Sequence, residues 1–453
     1  MSFQPKAFKG KKACVIGLGR SGLACARLLA RKGFSVLGSD SRPRAEIKAQ
    51  AGRLPAAVAI EGGGHSERVL KCAFAVKSPG LPPSLEVFRR LKEAGVPVFS
   101  ELEVALAFAK TKDVIAITGT NGKTTTATLT RDIFAEGLPR GRRALLCGNI
   151  GVPLSESVLS AGPKDTLIVE SSSYQLEDSR FFQPKASAVL NVTADHLDHH
   201  GSMARYIDAK ARAFRDQGAQ DACVFNAQDP IVVKLSRRCR SRKLFFGHKG
   251  HVHAWEEGGR IHAKLPGQKK EAVFTPPKLP GRHNLENAMA AILLGLARGI
   301  KPAAVQKALK AFKGVEHRLE EAGTVGGLRC INDSKATNVD STIVALRCLD
   351  GAGKNVLLIL GGLHKGSPYT TLKPFLETTV KCVLTIGSAA RLIEENLQGL
   401  VPIFPCGDLA TAVKTARTVG SKGDILLLSP GCASFDQFRD YEDRGRAFKG
   451  LLK

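Results

Sequence analysis

The stretch AITGTNGKTTT, Ala116 to Thr126, constrains the fold of this chain more than any other. An apolar run enters a turn of small and polar residues, and Lys-Thr-Thr then opens a helix-like run. Strand, glycine turn and helix in that order aim backbone N–H groups at one point, and such a point holds phosphate. The common form of the loop has glycine five residues before its Gly-Lys pair. Counted back from Gly122, that place is Ile117, so the loop here is a shorter variant. Gly119, Thr120, Asn121 and Gly122 supply backbone, Lys123 a point charge, and Thr124 or Thr125 a hydroxyl suited to Mg²⁺.

A second glycine turn lies upstream, in KACVIGLGRSGLACARLLARKGFSVLGSD. Gly17, Gly19 and Gly22 satisfy G-x-G-x-x-G, and Asp40 follows about twenty residues on, as in a dinucleotide-binding βαβ unit. The same helix N-terminus suits a nicotinamide or flavin dinucleotide, or the diphosphate of a nucleotide sugar. VKSPGLPPS is a further Gly-Pro turn after an apolar strand, expected to face the same crevice. Downstream of the phosphate loop, TLIVESSSYQLE, ASAVLNVTADHLDHH and ACVFNAQDP read as strands of a second sheet. HKGHVHAWEEGGRIHAKLPG alternates like small antiparallel strands on its edge. RCINDSKATN, NVLLILGG, KCVLTIG and DILLLSPG give a third α/β unit. The fold class is therefore α/β in three domains. These are a Rossmann-like domain over residues 1–110, a central ATPase-type domain with the phosphate loop over 111–312, and a C-terminal Rossmann-like domain over 313–453.

Composition narrows the function. With 43% hydrophobic and 24% charged residues the chain reads as an ordinary soluble protein, and no apolar run is long enough to predict a membrane span. The N-terminus passes straight into a strand, so no signal peptide is expected. Eleven cysteines without a C-x-x-C pair predict reduced thiols and a cytoplasmic location. The net charge of +26 raises nucleic-acid binding. The excess is spread along the chain, however, and aromatics are only 6%, so no stacking platform for single strands is visible. No nucleic-acid partner is predicted; attraction of a polyanionic small substrate is a sufficient use for the charge.

Several clusters follow strands, where open α/β sheets bind ligands. Glu170 ends an apolar run, as a metal ligand or as a surface charge. Asp195, His196, Asp198, His199 and His200 crowd one turn, as metal ligands or as a solvated loop. Asn284 and Asn287 lie one helical turn apart, placed to cap the helix or to bind adenine or phosphate. Arg318 follows a glycine turn, and Asp333, Lys335, Thr337 and Asn338 follow a strand.

The ordered set GTNGKTT, ESSSYQLE, NVTADHLDHH, HNLENAMAA, EHRLE, DSKATN, LGGLHKG and SPGCASFDQF resembles the Mur ligases of peptidoglycan synthesis, over essentially the whole chain. GLGRSG near the N-terminus and SPGCASFDQFRDYEDRG near the C-terminus are similar to the branch of that family that adds D-glutamate. The D-N-P-R sequence of the diaminopimelate-adding branch does not occur. The resemblance implies an ATP-dependent ligase that joins D-glutamate to UDP-N-acetylmuramoyl-L-alanine through an acyl phosphate, and acts as a monomer. It implies Lys123, Glu170, His196 and Lys210 as catalytic residues, and two Mg²⁺ ions at Thr124, Glu170, His196 and a carbamylated Lys210. ATP would meet Gly119 through Thr125, with Asn287, Arg318 and Asp333. The UDP-substrate would meet Leu18, Gly19, Ser41, Arg42, Ser78, Pro79, Gly80 and Asn149. D-Glutamate would meet Lys335, Thr337, Lys365, Ser434 and Tyr441, the last standing where the resemblance leads us to expect phenylalanine. Another Mur-type amide ligase is the alternative within the family. A nicotinamide oxidoreductase is the alternative outside it, and would leave the motifs of the second and third domains unused.

Overall fold

The strands that flank the phosphate loop are apolar throughout because they are covered on both faces. In the computed structural model Val114–Thr118 and Thr166–Glu170 are buried at every position, the pattern of central parallel strands. Each fully buried Val, Ile or Leu contributes about 1.5–3 kcal/mol. The structure describes residues 2–452 except 53, 249–250, 280, 350–352, 365 and 367. The chain divides into two compact units, Met1–Lys278 with His283–Phe312, and Leu279–Arg282 with Lys313–Lys453.

Among the described residues the first unit carries two sheets. One contains β1 (Lys12–Ile16), β2 (Ser35–Ser39), β3 (Val58–Glu61), β4 (Phe74–Lys77) and β5 (Val98–Ser100). It is parallel throughout, in the order 3-2-1-4-5. Phe3, Phe74 and Phe99 meet tilted or edge-to-face in its core, the geometry aromatic rings prefer. The other contains β6 (Val114–Thr118), β7 (Ala144–Gly148), β8 (Thr166–Glu170), β9 (Ala186–Val189), β10 (Ala222–Asn226), β11 (Arg242–Gly247), β12 (Ala254–Glu257), β13 (Arg260–Ala263) and β14 (Ala272–Phe274). Its order is 14-13-12-11-10-9-6-8-7. The antiparallel edge expected around Trp255 is present as β12–β13–β14.

The second unit carries a six-stranded sheet of β15 (Glu320–Val325), β16 (Leu328–Asn332), β17 (Val356–Gly361), β18 (Val380–Ile386), β19 (Ile403–Gly407) and β20 (Ile425–Leu428). Its order is 15-16-20-17-18-19, with β15 alone antiparallel to its neighbour. Doubly wound sheets place ligands beyond the C-terminal ends of their parallel strands. Asn332, Gly361 and Leu428 end strands there, and the turns that follow them carry the polar residues described below.

Candidate active site

The phosphate loop leaves β6 and enters the helix Lys123–Gly137. Gly122 sits at φ 82°, in left-handed space, and a Cβ there would lie 2.2 Å from Oδ1 of Asn287. Glycine is required on both counts. Asn287, buried on the helix Arg282–Ala297, thus packs directly on the loop, and its Oδ1 also accepts from Thr126 Oγ1 at 3.2 Å. Its Nδ2 donates to Asn284 Oδ1 at 3.4 Å. Lys123 Nζ donates to the Gly119 and Thr120 carbonyls at 2.9 and 2.8 Å, curling over its own loop. Sequence reasoning missed the clamp on the other side. Asn191 accepts from Asn121 N–H at 2.7 Å and donates to the Asn121 carbonyl at 3.1 Å. The only signal for it was a polar residue two places after an apolar strand.

Parallel pairing of β6 with β8 sets Ile117 beside Glu170, which brings that carboxylate to the loop. Glu170 is 1% exposed. Its Oε1 accepts from Asn149 Nδ2 at 2.9 Å, while its Oε2 is buried with no hydrogen-bond partner among the described residues. Leaving a buried carboxylate oxygen unsatisfied is costly, so the donor set fits a hard cation, which takes oxygen ligands. Asn149, expected at the sugar-peptide portion, uses its amide here to orient Glu170.

Lys210, on the helix Met203–Arg215, is 2% exposed. Burial and then the charge of Lys123 push its amine well below the ordinary lysine range, against a smaller opposing pull from Asp195. Its Nζ lies 4.4 Å from the Tyr206 ring centre, and the Tyr206 hydroxyl is 2.9 Å from Thr120 Oγ1. The His196 ring lies 6.5 Å from that of Tyr206, so Tyr206 links the phosphate loop, His196 and Lys210. His196 adopts φ 55°, rare for a residue with a side chain, and pairs with Asp195 at 3.3 Å. Tyr174 packs against the rings of His196, His199 and His200.

His199 and His200 do something other than join His196. Both contact the Glu177 carboxylate, at 2.6 and 3.1 Å. The same carboxylate takes Lys77 Nζ at 2.9 Å, and Asp178 takes it at 2.7 Å. Lys77, 2% exposed at the end of β4, immediately precedes Ser78-Pro79-Gly80.

Those residues line up with the first glycine turn. A Cβ on Gly17 would lie 2.9 Å from Ser78 Cβ, and one on Gly22 only 1.9 Å from the Gly17 carbonyl, whereas Gly19 faces open space. The carboxylate of Asp40 accepts from Leu18 N–H at 2.6 Å and from Arg42 N–H and Nε at 2.9 and 3.1 Å. Burial raises its pKa, but these donors outweigh burial and bring it to about 2. An acid so occupied is not free for the ribose hydroxyls of a dinucleotide. Leu18 is fully buried, and its carbonyl accepts from Arg42 Nη2. Gly19 and Pro79 are half-buried, and Ser41 and Gly80 exposed.

In the second unit Arg318 lies between two residues at positive φ, His317 at 65° and Leu319 at 43°. Asp333 accepts from Leu319 N–H at 3.2 Å and Ser429 Oγ at 2.8 Å. Burial raises its carboxyl to about 6 against the opposing charge of Arg318. Lys335 Nζ stands 5.4 Å over the Tyr441 ring, and Ser434 is buried nearby in sequence to Cys432 and Ala433. Thr337 is half-buried in the turn after β16. Lys365 lies outside the described residues.

Family models match three stretches of the chain. They are a Mur ligase MurD-like N-terminal domain over residues 11–100, a Mur ligase middle domain over 117–295 and a Mur ligase glutamate ligase domain over 317–432. The UDP-N-acetylmuramoylalanine–D-glutamate ligase of Elusimicrobium minutum is 45% identical, over 100% of this chain and 99% of its own length. The enzyme of the same name from Anaeromyxobacter dehalogenans is 42% identical, over 98% and 97%. Among solved structures, the UDP-N-acetylmuramate–alanine ligase of Thermotoga maritima shares the fold, with TM-score 0.60 and 21% identity over 97% of this chain and 98% of that one.

Proposed function

This chain belongs to the Mur ligase family, and from that premise we propose that it joins D-glutamate to UDP-N-acetylmuramoyl-L-alanine in peptidoglycan precursor synthesis, converting ATP to ADP and phosphate. The observation that carries the chemistry is the unsatisfied Glu170 oxygen beside the phosphate loop. A carboxylate and an amine do not condense unaided in water, so the carboxylate needs a leaving group. The L-alanyl carboxylate oxygen attacks the γ-phosphorus of ATP and ADP leaves. The amine of D-glutamate then attacks the acyl carbon, the C–O bond to phosphate breaks, and the amine proton passes to solvent.

Phosphoryl transfer between anions depends on positioning and charge neutralisation. Lys123 swings from its loop carbonyls to the phosphate oxygens, while the N–H groups of residues 119–125 hold the chain of phosphates. Thr124, Glu170, His196 and Lys210 would hold the Mg²⁺ that the family requires. When bound, that metal neutralises phosphate charge and orients the oxygens. A lysine amine is no ligand for Mg²⁺. The buried Lys210, whose amine is held well below the ordinary lysine range, would in its unprotonated form be a nucleophile for CO₂: an N–C bond forms, a proton leaves to solvent, and the resulting carbamate is a carboxylate-like ligand. Asn287, Arg318 and Asp333 complete the ATP assignment. Gly19, Ser41, Arg42 and Ser78–Gly80 take the uridine diphosphate, on a turn shaped by Leu18, with Asn149 toward the sugar-peptide. Lys335, Thr337, Lys365, Ser434 and Tyr441 take D-glutamate. The corresponding domains are residues 1–110, 111–312 and 313–453. The enzyme acts as a cytoplasmic monomer, and no described helix is long and apolar enough to cross a membrane.

Phosphate release with ATP, UDP-N-acetylmuramoyl-L-alanine and a panel of L- and D-amino acids tests this reading. D-Glutamate alone should give strong turnover. Comparable rates with L-alanine or a diamino acid would move the chain to another branch of the family.

A further inference from the structure

Among the described residues the largest fully buried side chain is a charged one. Arg444, in the helix Tyr441–Leu451, is 1% exposed. Among the described residues no carboxylate lies within ion-pair distance of it. Its partners are neutral: Nε donates to Ser334 Oγ at 3.0 Å, and Nη2 donates to the Ser334 and Cys432 carbonyls at 2.9 and 3.1 Å. Nη1 reaches the Ala433 carbonyl at 3.5 Å. Ser334 Oγ passes the link on, donating to the Tyr441 carbonyl at 2.8 Å. Gly362 gives the guanidinium its room, since a Cβ there would lie 3.2 Å from Nη1 and 2.4 Å from the Ala433 carbonyl. The 361–363 turn is fastened to the same place by paired bonds between Leu363 and Ala433.

A buried guanidinium without a carboxylate is costly, yet burial lowers its pKa only to about 10, so it stays charged at neutral pH. The segments it gathers are Ser334, Cys432–Ala433 and Tyr441. Each of these flanks or contains an amino-acid-binding residue of the proposed function: Lys335, Ser434 and Tyr441. A planar fork with five donors can hold several carbonyls at fixed angles, which an ammonium cannot. No carboxylate pairs with it directly among the described residues, though Asp436 and Asp333 stand near enough to offset part of its charge.

We propose that Arg444 is the positioning residue of the amino-acid pocket, fastening the turn after β16, the turn after β20 and the start of the last helix in the register that binds a dicarboxylic amino acid. The inference rests on the D-glutamate assignment above. Steady-state kinetics of Arg444→Lys and Arg444→Met in the full-length enzyme test it, with thermal unfolding measured alongside. The KM for D-glutamate should rise on the order of tenfold or more, further in Met than in Lys, while KM for ATP and for the UDP-substrate stay within about twofold. Should either variant fail to fold, Ser334→Ala removes only the hydroxyl relay and should raise the same KM by about threefold or more, at a near-normal melting temperature. An unchanged KM for D-glutamate, or three KM values rising in parallel, would overturn the proposal. A wild-type enzyme inactive on D-glutamate would instead overturn the functional reading, and this inference with it.

Discussion

Lys210 shows how far a single residue's environment decides its chemistry. On an exposed helix face it would be an ordinary ammonium; here burial, and then the neighbouring Lys123, push its amine well below the ordinary lysine range. Lys210→Ala should therefore lose most activity while the fold is kept, because alanine is the better helix former. Formate or acetate should restore part of the rate by replacing the missing carboxylate; intact activity in the variant would refute the carbamate. Asp333 is the acidic counterpart. Its carboxyl is raised by burial to about 6 from an ordinary 3.8. A raised acid gives stability that is full below pH 3.8 and lost as pH climbs through 6. Its ionisation thus costs about 3 kcal/mol at neutral pH. Asp333→Asn should be more stable than wild type in urea at neutral pH and no more stable near pH 4, while losing ligase activity. A variant equally or less stable at neutral pH would show that Arg318 and Ser429 outweigh burial.

At the scale of strands and loops, what was legible in the sequence was whatever is encoded locally. Apolar runs such as VIAIT and TLIVE ending at polar turns announce buried parallel strands, and alternation around Trp255 announces an antiparallel edge. The phosphate loop was legible because strand, turn and helix are contiguous. Contacts between distant segments were not. Asn149 and Glu170 are 21 residues apart and Lys77 and Glu177 are 100 apart, so no local pattern registers either pair. The histidine run illustrates the cost: read as one cluster, it divides into His196 beside Asp195, and His199 and His200 on Glu177. The Lys77 bridge ties the end of β4 to the segment after β8, and breaking one side of a buried pair costs about 3–5 kcal/mol. Lys77→Met should fall at the lower end, since Asp178 is 27% exposed. Glu177→Gln should relieve part of the loss when added to Lys77→Met, so that the double variant is more stable than the two single losses predict. Strict additivity in chemical denaturation would show that the bridge carries no coupling energy.

At the scale of the whole molecule the dominant property is charge: 67 basic residues against 41 acidic, a net +26. Neither the sheets nor the cores require it, and many of the ion pairs that use it are exposed, such as Arg89 with Glu93 and Arg391 with Glu395, pairs that contribute little to stability. Net charge acts instead on encounter. Every substrate of the proposed reaction is an anion: a uridine diphosphate bearing a terminal carboxylate, ATP, and an amino acid with two carboxylates. A positive field concentrates such molecules and speeds their arrival, by an amount that salt removes. Between about 0.01 and 0.15 M salt the screening length falls from about 30 to about 8 Å. Over that range kcat/KM for the UDP-substrate should fall on the order of tenfold, with kcat nearly constant, because steering affects association and not the bound complex. D-Glutamate, with fewer charges than the UDP-substrate, should show a shallower slope. Initial rates at subsaturating substrate, titrated with potassium chloride at fixed free Mg²⁺, measure both. A flat profile would mean that the charge serves something other than its own substrates, and RNA added at low salt would then be the first competitor to try.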